Sequence, residues 1–298
     1  MLLQKIFRAI TSLPVLFFLN GAFLVSIFYF RIEDVFERNV FNTLSINILE
    51  NHPAARTNQD SFFLAAMSLA NRMQERRLPI FGKHKTEGLK MSLFHSAADD
   101  LLTGEGSCGS ASAVLARILK ANNYQVRLPQ MKVNGNYGGH IVTEVKKNEG
   151  WIVLDALFKV YFKKPNGHLA SFKEVSANWD YYKLQVPPDY PLVYSYADAR
   201  YTNWGKVPVL GMFVKKSITL FKGKQYAEDF SLRSYLLRNY HFLVWVSLLF
   251  YCPVFILTVS RLLEKRRKVS LPAATGATAT AAAATKTSET AAAPIASA

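Results

Sequence analysis

The chain has 298 residues, half of them hydrophobic, and a formal net charge of +15, which allows one or two domains of ordinary size. Two cysteines, Cys108 and Cys252, are too few for a disulfide-built scaffold. The basic balance comes without any nucleic-acid recognition motif, which argues against that class of partner.

Residues 1–12 carry Lys5 and Arg8 ahead of an apolar run, Leu13 to Phe30, of 18 residues without a charge. A second such run, Phe242 to Ser260, has 19 residues. Both lengths fit a bilayer core, and membrane spans tolerate Pro14 and Pro253. We assign spans to 13–30 and 241–260. A secretory signal in place of the first would need a small-x-small cleavage site, and none follows. Arg233 and Arg238 precede the second span, whereas Arg261, Lys265, Arg266, Arg267 and Lys268 follow it. The positive-inside rule therefore places both termini in the cytoplasm and residues 31–240 across the membrane, the periplasm in a bacterium. That middle part holds 28 Lys and Arg against 19 Asp and Glu, a balance that suits either a solvated basic face or contact with anionic lipid or an acidic polymer.

Residues 31–57 read as a juxtamembrane connector of a helix or two, and 58–240 as the soluble domain. From Gln59 to Arg77 the residues Phe62, Phe63, Ala66, Leu69, Ala70 and Met73 recur at helical spacing behind Asn58 and Asp60, which predicts an amphipathic helix. A second helix is predicted over Ser92 to Leu102, stopped at Gly104. Then Gly104-Glu105-Gly106-Ser107-Cys108-Gly109 makes a tight turn, and Ser110 to Ala121 reads as a helix with Cys108 at its N-terminus. Downstream the period becomes two. Tyr124, Val126 and Leu128, then Ile141, Thr143 and Val145, then Trp151 to Leu154, predict three antiparallel strands. Lys147 to Gly150 is the last turn. The fold class is α+β. A short helix is expected over Ala170 to Trp179, and Pro187 to Pro208 reads as an irregular covering segment. Tyr182, Tyr190, Tyr194, Tyr196 and Tyr201 there either line a substrate groove or pack on the core. Residues 261–298 are a basic stretch followed by a tail whose last 28 residues hold 13 Ala and 6 Thr, a composition that reads as disordered.

The chemistry concentrates on Cys108, His140 and Asp155. A cysteine at a helix start has its thiolate stabilised by the helix dipole and free N–H groups. It benefits from a base held in one tautomer by a third group. A turn centred between Asn148 and Glu149 pairs residues whose numbers sum to 297, so His140 would face Leu157, diagonal to Asp155 and on the same face. Cys252 falls in a span, so the soluble domain has no cysteine partner for Cys108, which disfavours redox sensing. A metal site from Cys108, His140, Glu144 or Asp155 lacks any CxxC or HxxxH pattern. No cofactor or metal is expected. His52, His84, His95, His168 and His241 have no matching partner motif and read as solvated or structural. Trp151 reads as core or groove wall.

Glu105-Gly106-Ser107-Cys108-Gly109-Ser110-Ala111, Leu115 and Leu119, Tyr124-Gln125-Val126-Arg127, Gly139-His140 and Trp151-Ile152-Val153-Leu154-Asp155 resemble, in order and spacing, the transglutaminase-like core of the papain-like cysteine enzymes. The resemblance covers about residues 90–165. It implies a Cys-bearing helix packed on an antiparallel sheet bearing His and Asp, with Cys108 as nucleophile, His140 as base and Asp155 as orienting carboxylate. Asn122-Asn123 stands where a glycine often ends the cysteine helix, and Ala156 where proline is common. The implied activity is acyl transfer on amides, by a bacterial membrane-anchored peptidase or amidase in preference to a transglutaminase. A peptide or amide-bearing envelope substrate, the lipid bilayer and a membrane protein are the expected partners. The reading from another class is a non-catalytic, membrane-tethered binding or assembly module for envelope polymer biogenesis.

Overall fold

The computed structural model describes residues 4, 9–75, 82, 88–148, 150–206, 210–236 and 239–270. It comprises two compact units, Met1–Phe30 with Leu243–Ala298, and Arg31–Phe242. The elements are helices α1 (Leu13–Asn51), α2 (Ala54–Thr57), α3 (Gln59–Glu75), α4 (Leu89–Phe94), α5 (Ala97–Thr103) and α6 (Cys108–Ala121); strands β1 (Val126–Arg127), β2 (Gln130–Val133), β3 (Asn136–Ile141), β4 (Thr143–Lys147), β5 (Gly150–Asp155) and β6 (Val160–Tyr161); helices α7 (Phe172–Ala177) and α8 (Trp179–Tyr182); strand β7 (Ala199–Arg200); and helices α9 (Leu210–Lys222), α10 (Lys224–Asp229), α11 (Arg233–Leu236) and α12 (Tyr240–Ser270).

Among the described residues two helices, α1 and α12, are long and apolar enough to cross a membrane. In the first unit their apolar side chains are largely exposed, Phe18 and Val25 among them, the opposite of a soluble core helix. They touch through Asn20 Nδ2, which donates to Thr258 Oγ1 at 2.7 Å, and through stacked Phe23 and Phe250. The connector after residue 30 is helical as expected, and its first helix is continuous with the apolar run, α1 extending unbroken to Asn51. Its charged stretch favours helix because Arg31 and Arg38 reach Asp34 at i,i+3 and i,i+4, at 2.9 and 3.1 Å.

The second unit is α+β with α6 at its centre. Ala111, Val114, Leu115, Ile118 and Leu119 recur on one helical face and are fully buried. They share a core with Phe62, Phe63, Ala66 and Met73 of α3, with Phe41 and Ile48 of α1, and with Val145, Ile152 and Leu154 of the sheet. The alternate strand positions, Val142 and Val153, face a second cluster with Phe162, Tyr182, Tyr190 and Tyr196, as a period of two requires. Of the five covering tyrosines, Tyr182, Tyr190 and Tyr196 are thus core residues.

The helix expected over 92–102 is two helices. Ser96 breaks it by capping α5, accepting from Asp99 N while the Asp99 side chain accepts from Ser96 N. This capping box makes a new start cheaper than continuation. Gly104 then stops α5 in the left-handed region at φ 66°. Arg76, Arg77 and His84 lie outside the described residues, as does the tail beyond Ser270.

Among the described residues seven short strands form two antiparallel sheets, β1-β4-β5-β6 and β3-β2-β7. The β4–β5 hairpin has the register read from its turn, Thr143 opposite Leu154 and Lys147 opposite Gly150. His140 does not face Leu157, however, because the chain leaves that hairpin at Val142, whose N–H donates to Pro129 O. His140 instead pairs with Met131 in the other sheet. The β2–β3 turn that makes this possible is Asn134-Gly135, both at positive φ, the conformation that Asn-Gly favours.

One buried ion pair braces the first sheet. Glu144, fully buried, accepts from Arg127 Nε at 2.7 Å, Tyr201 Oη at 2.8 Å and Phe172 N at 3.3 Å. The Arg127 guanidinium lies between the Trp151 and Tyr201 rings at 4.1 and 4.2 Å. Arg127→Ala should destabilise the unit by about 3–5 kcal/mol by leaving a buried carboxylate without its cation. Thermal unfolding in detergent would show the loss, and adding Glu144→Gln should recover part of it.

Candidate active site

Cys108 is the first residue of α6, and two features of the preceding turn put it there. Ser107 O accepts from Ser110 N and Ala111 N at 2.9 and 3.0 Å, which starts the helix. Gly106 has φ +108°, and a Cβ there would lie 1.9 Å from Ser110 Oγ. Only glycine fits. Gly106→Ala should therefore displace the Cys108 turn and cost about 1–3 kcal/mol. Slower Cys108 alkylation together with a lower melting temperature checks it, and adding Ser110→Ala, which removes that oxygen alone, should restore little.

His140 and Asp155 are both fully buried. His140 Nε2 lies 2.6 Å from Asp155 Oδ2. The other carboxylate oxygen, Oδ1, accepts from Leu157 N at 3.1 Å and Phe158 N at 3.3 Å, while Tyr190 Oη donates to Oδ2 at 3.3 Å. The carboxylate is thereby fixed in rotation. The imidazole is fixed too, stacked on Tyr194 at 4.4 Å between centroids and set against Phe158. Its Nδ1 is buried as well.

Asp155 and the Cys108 thiol are the two groups that act on the ring. Burial is the largest influence on His140 and pushes it down, but hydrogen bonding to Asp155 and Cys108 and their negative charge outweigh it and raise the imidazole from 6.5 to about 9. Burial likewise pushes the Cys108 thiol up. Against it, the hydrogen bond and charge of His140, the backbone of Ile141 and the Ser107 side chain hold the thiol below its ordinary value. Each partner's shift favours the charged form of the other, as in a thiolate–imidazolium pair. With Nε2 engaged by Asp155, Nδ1 is the nitrogen left for sulfur.

The structure thus brings Cys108, His140 and Asp155 together, although His140 arrives from a different sheet than expected. Glu144, the fourth residue considered for a metal, is engaged by Arg127 and Tyr201 instead. Trp151 packs under Arg127 and lines a cavity of about 640 Å³ whose walls include none of the three residues. A second cavity, about 580 Å³, is lined by Gln130, Gly138, Arg200, Tyr201 and Arg233 among others. The sequence reading did not single out Tyr190, Tyr194 and Phe158 as the packing around the imidazole. The tyrosine-rich run was their visible signal. His95 lies 2.6 Å from buried Asp100, in keeping with the structural role read for it. Comparison with protein-family models, curated proteins and solved structures gives no match for the chain.

Proposed function

We propose that the chain is a membrane-anchored cysteine enzyme that performs acyl transfer on amide bonds, with Cys108 as nucleophile, His140 as acid and base, and Asp155 as the group that orients His140. The observation that carries this reading is the buried Nε2–Oδ2 contact of 2.6 Å in an imidazole that is also coupled to a thiol at a helix start. The motif resemblance to the transglutaminase-like, papain-like enzymes supports the same roles.

The Cys108 thiolate attacks the amide carbonyl, and the electron pair of the carbonyl moves onto oxygen. The Cys108 N–H, at the first helical position and so without an intrahelical acceptor, is positioned to donate to that oxyanion. Collapse expels the amine, which takes the His140 proton, and leaves a thioester. Water, deprotonated by His140, then releases the acid and regenerates the thiol. Hydrolysis is favoured over transamidation because water needs no second acceptor site.

The two long apolar helices and the Lys/Arg bias after the second support a two-pass bacterial inner-membrane protein with a periplasmic catalytic unit and cytoplasmic termini. Helix α9 supports bilayer contact as well: Met212, Phe213, Leu220 and Phe221 are exposed beside Lys215, Lys216 and Lys222, the pattern of an interfacial helix on anionic lipid. Peptides or amide-bearing envelope polymers near that surface are the substrate class, and a membrane protein partner would deliver them.

The test is intact-mass analysis of the purified full-length chain incubated with envelope-derived peptides. An acyl adduct on Cys108, released by hydroxylamine and absent in Cys108→Ala, is the expected result. If Cys108→Ala cells behave as wild type while deletion of 58–240 does not, the chain is a binding module instead.

A further inference from the structure

The 580 Å³ cavity is lined by two guanidiniums, Arg200 and Arg233, that form no ion pair among the described residues. Its position follows from strand register. Across β3-β2-β7, Ile141 pairs with Gln130 and Gln130 with Arg200, a row on one face, while His140, Met131 and Ala199 form the next row on the other. The backbone of Ile141 acts on the Cys108 thiol, and a Cβ on Gly109 would touch Ile141 Cδ1 at 3.7 Å. The first turn of α6 therefore lies over the face that carries Gln130 and Arg200.

Arg233, at the start of α11, completes the wall. With the Gln130 amide oriented to present its oxygen, Arg233 Nε and Nη2 donate to it at 2.9 and 3.0 Å. Gln130 is a neutral partner and leaves the charge in place. Arg200 lies 4.7 Å from the Tyr137 ring, and its Nε is buried with no hydrogen-bond partner. Among the described residues no Asp or Glu lines the cavity, and the carboxylate behind it, Asp198, is engaged by Tyr137 Oη. Burial and the nearby Arg200 charge pull the Arg233 value down, while Cys108 acts in the other direction, which puts both groups within its electrostatic reach. Two partly desolvated guanidiniums without a counterion carry a cost that an incoming oxyanion offsets. Arginine forks match the planar carboxylate in particular.

We infer that this cavity binds a carboxylate on the amide substrate, so that the preferred acyl donors are acidic peptides held by Arg200 and Arg233 with the scissile carbonyl at Cys108. This deepens the acyl-transfer reading and rests on it.

The test uses the full-length Cys252→Ser chain in detergent, with glutarate and its uncharged diamide, glutaramide, as probes. Glutarate binding is measured by calorimetry, and Cys108 labelling by iodoacetamide is timed with each probe present. Glutarate, and not glutaramide, should bind and slow labelling, and Arg233→Gln or Arg200→Gln should weaken both effects at least about tenfold, the loss expected for a charge-assisted hydrogen bond. Equal behaviour of the two probes in the unsubstituted chain, which needs no variant to fold, overturns the inference. So does glutarate that binds without protecting Cys108, or inorganic phosphate that displaces it more strongly than a second carboxylate. Arginine-dependent glutarate binding beside a Cys108 that alkylates like an ordinary thiol would sink the catalytic reading and leave the anion cavity standing. An activated Cys108 indifferent to glutarate would do the reverse.

Discussion

Asp155→Asn is expected to lower Cys108-dependent acyl transfer by roughly a thousandfold, within the range known for such orienting carboxylates, while changing the melting temperature little. The reason lies in what each carboxylate oxygen does. Oδ1 accepts from Leu157 N and Phe158 N and so caps the turn after β5. An asparagine keeps an oxygen in that place and must then present its NH2 group to His140 Nε2. Nε2 becomes an acceptor, and the imidazole proton moves to Nδ1, the side left for sulfur. A ring in that tautomer cannot take the thiol proton. Losing the carboxylate charge also removes one of the influences that raise His140. Asp155→Ala would mix this effect with loss of the turn cap, so the asparagine variant is the discriminating one. Tyr190→Phe, which removes only the 3.3 Å bond to Oδ2, should cost far less. Parallel measurement of kcat/KM and thermal unfolding checks the set. An asparagine variant within about tenfold of wild type would reduce Asp155 to a strand-end cap, since a tenfold change is the size of a single ordinary hydrogen bond.

The parts of this site that were legible are the ones fixed by local chemistry. The Gly106-Ser107-Cys108 turn must use glycine where φ is positive, and the helix after it shows its buried face at i, i+3 and i+4 spacing. The Lys147–Gly150 turn gave the β4–β5 register correctly. What failed was the extension of that register to His140. Alternation through Ile141, Thr143 and Val145 is continuous in the sequence, and nothing in it marks the passage from one sheet to the other at Val142. The overlooked sign was Asn134-Gly135, a strong hairpin signal that gives residues 136–141 a partner of their own. The helix expected in the connector is there, but the pairing of Arg31 and Arg38 with Asp34 makes it continuous with the apolar run. Arg200 and Arg233 could not be found at all, because only the tertiary fold brings residues 33 positions apart to the wall of one cavity. Side chains that line such a cavity are assembled from distant segments, while the turn that presents Cys108 is written within a few residues of it.

Replacing His140 by alanine should slow iodoacetamide labelling of Cys108 at pH 7 by about 10- to 100-fold in a Cys252→Ser background, since thiolate is about one part in a hundred at pH 7 for a thiol of pKa near 9. Cys252 is exposed and must be removed for the reading to be clean. The sign follows from the opposing influences on the thiol. Burial raises it and is the largest; the contributions of His140 lower it and lead those that make the native thiol more acidic. Without the imidazole the leading influences that lower the Cys108 thiol are gone, and it titrates higher than in the native chain. In the native chain the two measurable reactions should part company at alkaline pH. Labelling needs only the thiolate, so it rises through the lowered thiol value and stays high. Acyl transfer also needs the His140 proton for the departing amine, and so should fall as pH passes about 9, where the imidazole loses it. A turnover profile bounded on the alkaline side while labelling remains flat identifies His140 as the proton donor. If both curves rise together without limit, the imidazole is only a buried neighbour of the thiol.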